Sequence, residues 1–386
     1  LEYFRNLEKT IMEIKFWKPS VTSQFLVCPV PFHMDTYRGC VYNCLFCFSR
    51  DITTFARRNS EHKEFSYLVG QDVKAFKRWV DRTLAKDYDY KKAEEVAFKE
   101  RMPIKIGATA DPFPYAEKQE KVTYEILKIL HEIDYPVQMS TKNPEVLASY
   151  AKDFVNPNWT INVSVTTMDL EFHKIVEPHA ITPERKMKAI KELTDMGIKV
   201  MIRLQPFIYP KILVDIEDIV SEAKKAGCWA FQAEGMKMRI SMPKPEQELF
   251  QKIGDFMGIP DIRQYYKDEH NRCGSDYELS IKKKEEVLDL CVQMAKKYDV
   301  KFFSADNHWY KVGDGFECCG TSVLRNYKVL GCDKRCKLHG GATHESKELQ
   351  KCFVNFTRSQ KNVNKTIGEV CSEDEKPISS LEEFLK

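Results

Sequence analysis

Cys40, Cys44 and Cys47 stand within eight residues, in the run Arg38-Gly39-Cys40-Val41-Tyr42-Asn43-Cys44-Leu45-Phe46-Cys47. The spacing is C-x3-C-x2-C. Thiolates are soft ligands suited to iron–sulfur clusters or zinc. A structural zinc site normally closes with four ligands. A [4Fe–4S] cluster is usually held by four cysteines, so three on one loop leave one iron open to something else. A zinc knuckle or three free thiols are the competing readings, and ligand softness and spacing favour the cluster.

A second group lies near the C-terminus. Cys318, Cys319, Cys332 and Cys336 form C-C-x12-C-x3-C, punctuated by Gly313, Gly315, Gly320 and Gly331. Cys273, Cys352 and Cys371 could contribute. The group suits a second iron–sulfur cluster or a structural zinc. One of its thiols could instead donate a hydrogen atom, or all could pack as small hydrophobes. His308, His339 and His344 flank it, and isolated histidines are more often structural than ligands. Asp306-Asn307-His308-Trp309 follows a late strand, and Trp309 and Tyr310 could stack on an unpaired base or fill the core.

Of 386 residues, 43% are hydrophobic and 30% charged, an ordinary globular balance for one large domain or two smaller ones. No apolar run approaches a membrane span. The N-terminal stretch mixes charged and aromatic residues and does not read as a secretory leader. Thirteen cysteines is an odd count, and the densest cluster has metal spacing. That favours a reducing cytoplasm over a disulfide framework. The net charge of +3 neither demands nor excludes nucleic acid.

These residues need elements to position them. β-rich runs at Met34–Tyr37, Ile104–Ala108, Val137–Thr141, Thr160–Thr166, Lys199–Pro206, Trp229–Ala233 and Lys301–Ser304 predict strands. Amphipathic runs at Asp72–Leu84, Lys118–Ile133, Pro144–Ala151, Pro183–Met196, Asp215–Ala226, Pro245–Met257 and Lys282–Tyr298 predict helices. Pro183 suits a first helical position and Gly197 a helix end. The lysine runs 282–284 and 296–297 read as a solvated helix face. Alternating strands and helices imply parallel βαβ units and an α/β fold, a partial (β/α)6-type barrel with a cysteine-rich C-terminal extension. The expected divisions are an N-terminal extension at 1–30, a barrel at 31–306 with an insertion at 51–100, and the cysteine-rich region at 307–386. The cysteine loop follows the first strand, at the end where barrels gather their chemistry.

The loop, with Phe46 immediately before its third cysteine, closely resembles the signature of the radical S-adenosylmethionine (SAM) enzymes. In that family the open iron binds the amino and carboxylate groups of SAM. One electron then cleaves it to methionine and a 5′-deoxyadenosyl radical. Three further segments resemble the spore photoproduct lyase-like, or DNA repair photolyase-like, branch. They are Ile106-Gly107-Ala108-Thr109-Ala110-Asp111-Pro112-Phe113 with Glu117; Ser140-Thr141-Lys142-Asn143; and Val163-Ser164-Val165-Thr166-Thr167 through Glu177-Pro178-His179-Ala180 to Pro183, Arg185 and Ala189–Gly197. The resemblance covers roughly residues 30–210.

It implies a [4Fe–4S] cluster on Cys40, Cys44 and Cys47, SAM as cofactor, and a flavodoxin- or ferredoxin-type reductant. It implies that Gly107, Thr109 and Asp111 line the methionine end of SAM, with Ser140 and Lys142 nearby. Lys142 would pair with the SAM carboxylate, Ser164 and Thr166 with ribose hydroxyls, and Arg203 with carboxylate or substrate. Asp111 before Pro112 reads equally as a turn initiator, and Glu177-Pro178-His179 as a helix-start turn with a structural histidine. Phe46 and Phe48 stand where spore photoproduct lyases resemble one another in carrying tyrosines. No cysteine lies around Tyr88 to Tyr90, where those enzymes carry a hydrogen donor. The spore reaction therefore does not transfer directly. The expected substrate is a nucleic-acid base or a modified nucleoside. The rivals are modification of a peptide or small metabolite with an auxiliary cluster, and a metal-dependent nucleic-acid-binding module without catalysis.

Overall fold

A computed structural model describes residues 12–22, 31–49, 68–153, 158–269, 271–273, 276–306, 312–314, 319–329 and 346–349. The strands before the first long helix are β1 (Met12–Lys15), β2 (Ser20–Val21), β3 (Phe32–Met34), β4 (Tyr37–Arg38) and β5 (Leu68–Gln71). Those after it are β6 (Ile104–Ile106), β7 (Val137–Thr141), β8 (Trp159–Ser164), β9 (Lys199–Phe207), β10 (Ala230–Gly235), β11 (Met238–Arg239), β12 (Asn271–Cys273), β13 (Asp276–Glu278) and β14 (Lys301–Ser304).

The main sheet runs β14-β10-β9-β8-β7-β6-β3-β2. From β3 to β14 every neighbouring pair is parallel, and β2 lies antiparallel on the β3 edge. This is the partial-barrel order expected of the alternating pattern. β1, β5 and β4 form a small side sheet, and β11, β13 and β12 another.

Register sorts the main sheet into two unlike faces. Ile104 pairs with Val137 and Val137 with Trp159; Ile161 pairs with Val200. All are buried in one core with Ile126, Leu130, Ile190, Leu193, Ile219 and Val220 from the helices. The alternate positions pair Gln138 with Thr160, Ser140 with Asn162, Ser164 with Arg203 and Arg203 with Gln232. Parallel sheets covered on both faces are usually apolar on both. Here the inner face is polar toward the strand C-termini. Nearer the strand starts it carries Met201 and Ala230, which pack together with Phe303 and Trp229.

The helix Val73–Ala85 begins on Asp72, whose carboxylate accepts from Ala75 N at 2.9 Å. Phe76, Trp79, Val80 and Thr83 form its buried stripe. Each large apolar side chain contributes roughly 1.5–3 kcal/mol by burial, so this helix is part of the core. Pro183–Asp195 starts on Thr182 with Pro183 at its first turn, and Gly197 beyond its end has φ +85°.

Three expected elements differ most from those observed. Met34–Tyr37 is not one strand: β3 stops at Met34, and Tyr37 belongs to β4, paired antiparallel with β5. Lys118–Ile133 is two helices, Glu117–Glu120 and Val122–Glu132, because Lys121 is left-handed at φ 52°. Glu117 causes the break by accepting from Thr123 N at 3.0 Å and Tyr124 N at 2.8 Å. Asp215–Ala226 begins earlier, at Ile212.

Candidate active site

The cysteine loop leaves β4 and is pinned at both flanks. Leu45 N donates to Val176 O at 3.0 Å, and Cys47 N to Cys44 O at 3.2 Å. Tyr42 OH donates to Phe113 O at 2.5 Å, which fixes the loop against the one after β6. Ser49 Oγ donates to Thr109 O at 2.7 Å, so the Cys47 thiol is the donor in its 3.2 Å contact with Ser49 Oγ. Cys44 is buried, and Cys40 and Cys47 are half-buried. Phe46 is buried beneath the Lys142 ammonium, 5.1 Å from its ring centre, whereas Phe48 is 77% exposed.

None of the three thiols is in a disulfide. Burial, with the Asp111 and Cys47 charges, pushes the Cys40 thiol up to about 12, and burial raises Cys44 as well. Such thiols ionise readily only against a cation, which a bound metal supplies. Among the described residues no three His, Cys, Asp or Glu side chains converge to hold one metal ion. A cubane cluster does not ask for that convergence, since each cysteine binds a different iron. Three soft thiolate donors on one loop therefore fit an iron–sulfur cluster.

The loop after β6 is shaped by two devices. Gly107 has φ +86°, and a Cβ there would stand 2.3 Å from Ser140 O, so only glycine fits. Asp35, at the end of β3, accepts from Ala108 N at 2.7 Å, from Thr109 N at 3.1 Å and from the Thr109 hydroxyl. Asp111 then accepts from Phe113 N at 3.0 Å, Thr141 Oγ1 at 2.8 Å and Lys142 N at 2.6 Å. It organises two loops at once, a larger task than initiating a turn.

Lys142 extends from the end of β7 to Glu177, with Nζ 2.7 Å from Oε1. Thr166 Oγ1 donates to the same oxygen at 2.9 Å. On the other oxygen sits Lys186 Nζ at 2.5 Å, which also donates to Ser164 O at 3.0 Å. Lys186 and Glu177 are both wholly buried. Burial alone would raise the Glu177 carboxyl, but the two ammoniums outweigh it and hold it well below the usual carboxylate range. His173 Nδ1 lies 3.4 Å from Glu177, and burial pushes that imidazole down to about 4, so it is neutral at pH 7.

Glu177 is therefore the hub of a charge network. Its partner on the following helix is Lys186, while Arg185 next to it is exposed and pairs with Glu145. His179 contributes its carbonyl, which accepts from Tyr115 OH at 3.0 Å. Arg203 Nη1 donates to Ser140 Oγ at 3.2 Å, and Gln138 Nε2 reaches the same hydroxyl at 3.0 Å. The structure thus brings together Cys40, Cys44, Cys47, Gly107, Thr109, Asp111, Ser140, Lys142, Ser164, Thr166 and Arg203 at the C-terminal ends of neighbouring strands. Thr166 points its hydroxyl at Glu177.

Sequence reasoning missed Asp35 and Lys186. Lys186 has a detectable signal: with Ala189, Ile190 and Leu193 it falls at i, i+3, i+4 and i+7, on the buried face. Lys284 corrects a further expectation, since it does not lie on a solvated face. It is buried between Glu278 Oε2 at 2.6 Å and Asp306 Oδ2 at 2.7 Å.

The C-terminal cysteine group is described only at Cys319. Cys318, Cys332, Cys336, Cys352, Cys371, His308, His339, His344, Trp309 and Tyr310 lie outside the described residues. Cys319 is buried beside Gly320, where a Cβ would meet Met201 Sδ at 2.8 Å and Thr160 Oγ1 at 2.9 Å. Arg325 N donates to Asn158 Oδ1 at 2.6 Å. These contacts seat the 319–329 segment at the strand starts, opposite the Cys40–Cys47 loop.

Residues 34–223 match the family model described as Radical SAM superfamily. The match runs from the end of β3 through the cysteine loop, Asp111, Lys142, Glu177 and Lys186 into the helix Ile212–Lys225. These residues form a radical SAM domain and the chain is an enzyme, which sets aside a binding module without catalysis. The fold implies a [4Fe–4S] cluster and SAM as cofactors. Uncharacterized protein ORF301 of Acidianus two-tailed virus is 24% identical over 229 residues, covering 56% of this chain and 70% of its own. Uncharacterized protein MJ0683 of Methanocaldococcus jannaschii is 25% identical over 223 residues, covering 57% of this chain and 75% of its own. Among solved structures, a mutant spore photoproduct lyase with bound AdoMet and dinucleoside spore photoproduct aligns at TM-score 0.55 and 12% identity. That alignment covers 78% of this chain and 83% of the lyase. At this identity the likeness is one of fold. Among the described residues no helix is long and apolar enough to cross a membrane.

Proposed function

We propose that Cys40, Cys44 and Cys47 hold a [4Fe–4S] cluster that binds SAM, and that the chain acts on a nucleic-acid base or nucleoside. When bound, the cluster and SAM supply reductive cleavage and a 5′-deoxyadenosyl radical able to remove hydrogen from an unactivated C–H bond. The observation that carries the reading is three cysteines on one pinned loop, at the strand ends, beside the Lys142 ammonium.

The surrounding residues have separate tasks. Gly107 lets backbone approach the site without a side chain in the way. Lys142 offers a point charge to a carboxylate while Glu177 fixes its direction. Arg203, Ser140, Gln138 and Gln232 present donors and acceptors along the inner face, the groups that read base edges. The fold likeness to a lyase holding a dinucleoside supports the same substrate class. Cys318, Cys319, Cys332 and Cys336 would form a second iron–sulfur or zinc site of structural kind, given where Cys319 sits. A flavodoxin- or ferredoxin-type protein would deliver the electron, in the reducing cytoplasm.

The test is anaerobic reconstitution of the full chain. Wild type should bind iron and release 5′-deoxyadenosine from SAM under reduction, and Cys44→Ala should bind about one cluster's iron less and release none. A Cys44→Ala protein retaining both would sink the assignment. Oligonucleotides should bind with a steep salt dependence. Oligonucleotides that fail to bind, with a peptide stimulating SAM cleavage instead, would move the substrate to the peptide class.

A further inference from the structure

Lys186 poses a problem that packing does not solve. It stands on the apolar face of its helix with Ala189, Ile190 and Leu193, and its side chain has no exposure to water. A buried ion pair is weak support for stability, because desolvating both charges offsets their attraction. A hydrophobic residue of similar volume would fill the same face. The ammonium is held in place by Glu177 Oε2 at 2.5 Å and Ser164 O at 3.0 Å.

The charge has one notable neighbour. Cys44 interacts electrostatically with Lys186, with Lys142 and with Glu177. Leu45 N on Val176 O at 3.0 Å ties the cysteine loop to the residue preceding Glu177, so the loop and the ion pair are held together. Cys44, Lys186 and Glu177 are all buried, so the field between them is weakly screened. Asp111 adds a carboxylate on the Cys40 side of the loop.

We propose that Lys186 and Glu177 set the reduction potential of the cluster on Cys40, Cys44 and Cys47, the ammonium raising it and the carboxylate lowering it. The inference rests on the cluster assignment above. The step concerned is entry of one electron from a low-potential donor, which takes the cluster from the 2+ to the 1+ state with no bond formed or broken. Added negative charge is favoured next to a fixed cation and opposed next to a fixed anion. The sign for each residue therefore holds whatever the total charge of the site. Lys142 reaches the mouth and is left to a ligand, whereas Lys186 has no route to one.

The experiment is a redox titration of reconstituted full-length protein, followed by the spin resonance of the reduced cluster. Iron content is measured first. Wild type that binds no iron overturns the cluster assignment rather than the tuning. With clusters present, Lys186→Met should lower the reduced-to-oxidised ratio at a given potential about tenfold, a shift of about 59 mV for one electron. Glu177→Gln should shift the midpoint in the opposite direction, and Lys186→Arg should restore it. General damage to the site would not produce shifts of opposite sign. Unchanged midpoints, or both variants moving the same way, overturn the proposal. If Lys186→Met holds no cluster, Glu177→Gln decides, and a midpoint that stays or falls overturns it.

Discussion

Arg203 Nη1 donates to Ser140 Oγ at 3.2 Å although β8 separates their strands. Two strand spacings are about 10 Å in a flat sheet. The bond closes because both side chains stand on the same face of the sheet and the long arginine side chain reaches across β8. Among the described residues Ser140 occupies one nitrogen of the Arg203 guanidinium, which carries further donors. Arg203→Ala should weaken binding of SAM or of an oligonucleotide by about ten- to a hundredfold, the range of a hydrogen bond to a charged group. Equilibrium binding of each ligand checks this, and two unchanged affinities would remove Arg203 from the site.

Gly107 and Gly197 share nearly the same backbone angle, φ +86° and +85°, but not the same surroundings. A Cβ at 107 meets Ser140 O at 2.3 Å, while one at 197 meets nothing within 4 Å. Gly197→Ala should cost about 1 kcal/mol, the strain of a left-handed residue. Gly107→Ala should cost more and also displace the strand-end loops, abolishing SAM binding. Thermal melting and SAM binding on the two variants separate strain from collision.

Glu177→Ala should destabilise the fold by about 3–5 kcal/mol, because two ammoniums lose their shared counter-charge. Breaking the exposed Lys191–Asp195 pair should cost under about 1 kcal/mol. The pH dependence follows in sign. Glu177 is depressed when folded, so its stabilisation is complete above the unfolded carboxylate value of about 4.3 and fades as pH falls further. Urea unfolding between pH 3 and pH 7 should show a slope in wild type that Glu177→Gln lacks.

Cys319 predicts a division of labour between the two cysteine groups. β8 has six residues, and at about 3.3 Å each a strand of that length carries the chain roughly 17–20 Å from floor to mouth. Substituting Cys332 and Cys336 by alanine should lower the melting temperature and any metal bound there. Production of 5′-deoxyadenosine should change little. A large loss of SAM cleavage with melting unchanged would instead make the group part of the chemistry.

The sheet is largely legible in the sequence because its strands are short β-rich runs separated by amphipathic helices. Even the two-faced character is written there: Val137-Gln138-Met139-Ser140 and Trp159-Thr160-Ile161-Asn162 alternate, which a strand buried in apolar surroundings on both sides need not do. The break at Lys121 is not legible, because it depends on Glu117 meeting a helix start and the Tyr37 hydroxyl from a distant strand. The cysteine loop is legible from spacing alone. Glu177 reads as a turn residue and Lys186 goes unremarked, since a single charged letter carries no mark of its partner. Only the position of Lys186 among Ala189, Ile190 and Leu193 betrays that it points inward.

Gly320 fits against Met201, Thr160 and Trp229 at the strand starts, where a side chain would collide with all three. The residue beside the buried Cys319 is thus chosen for its smallness: the 319–329 segment lies close on the sheet because position 320 carries no side chain.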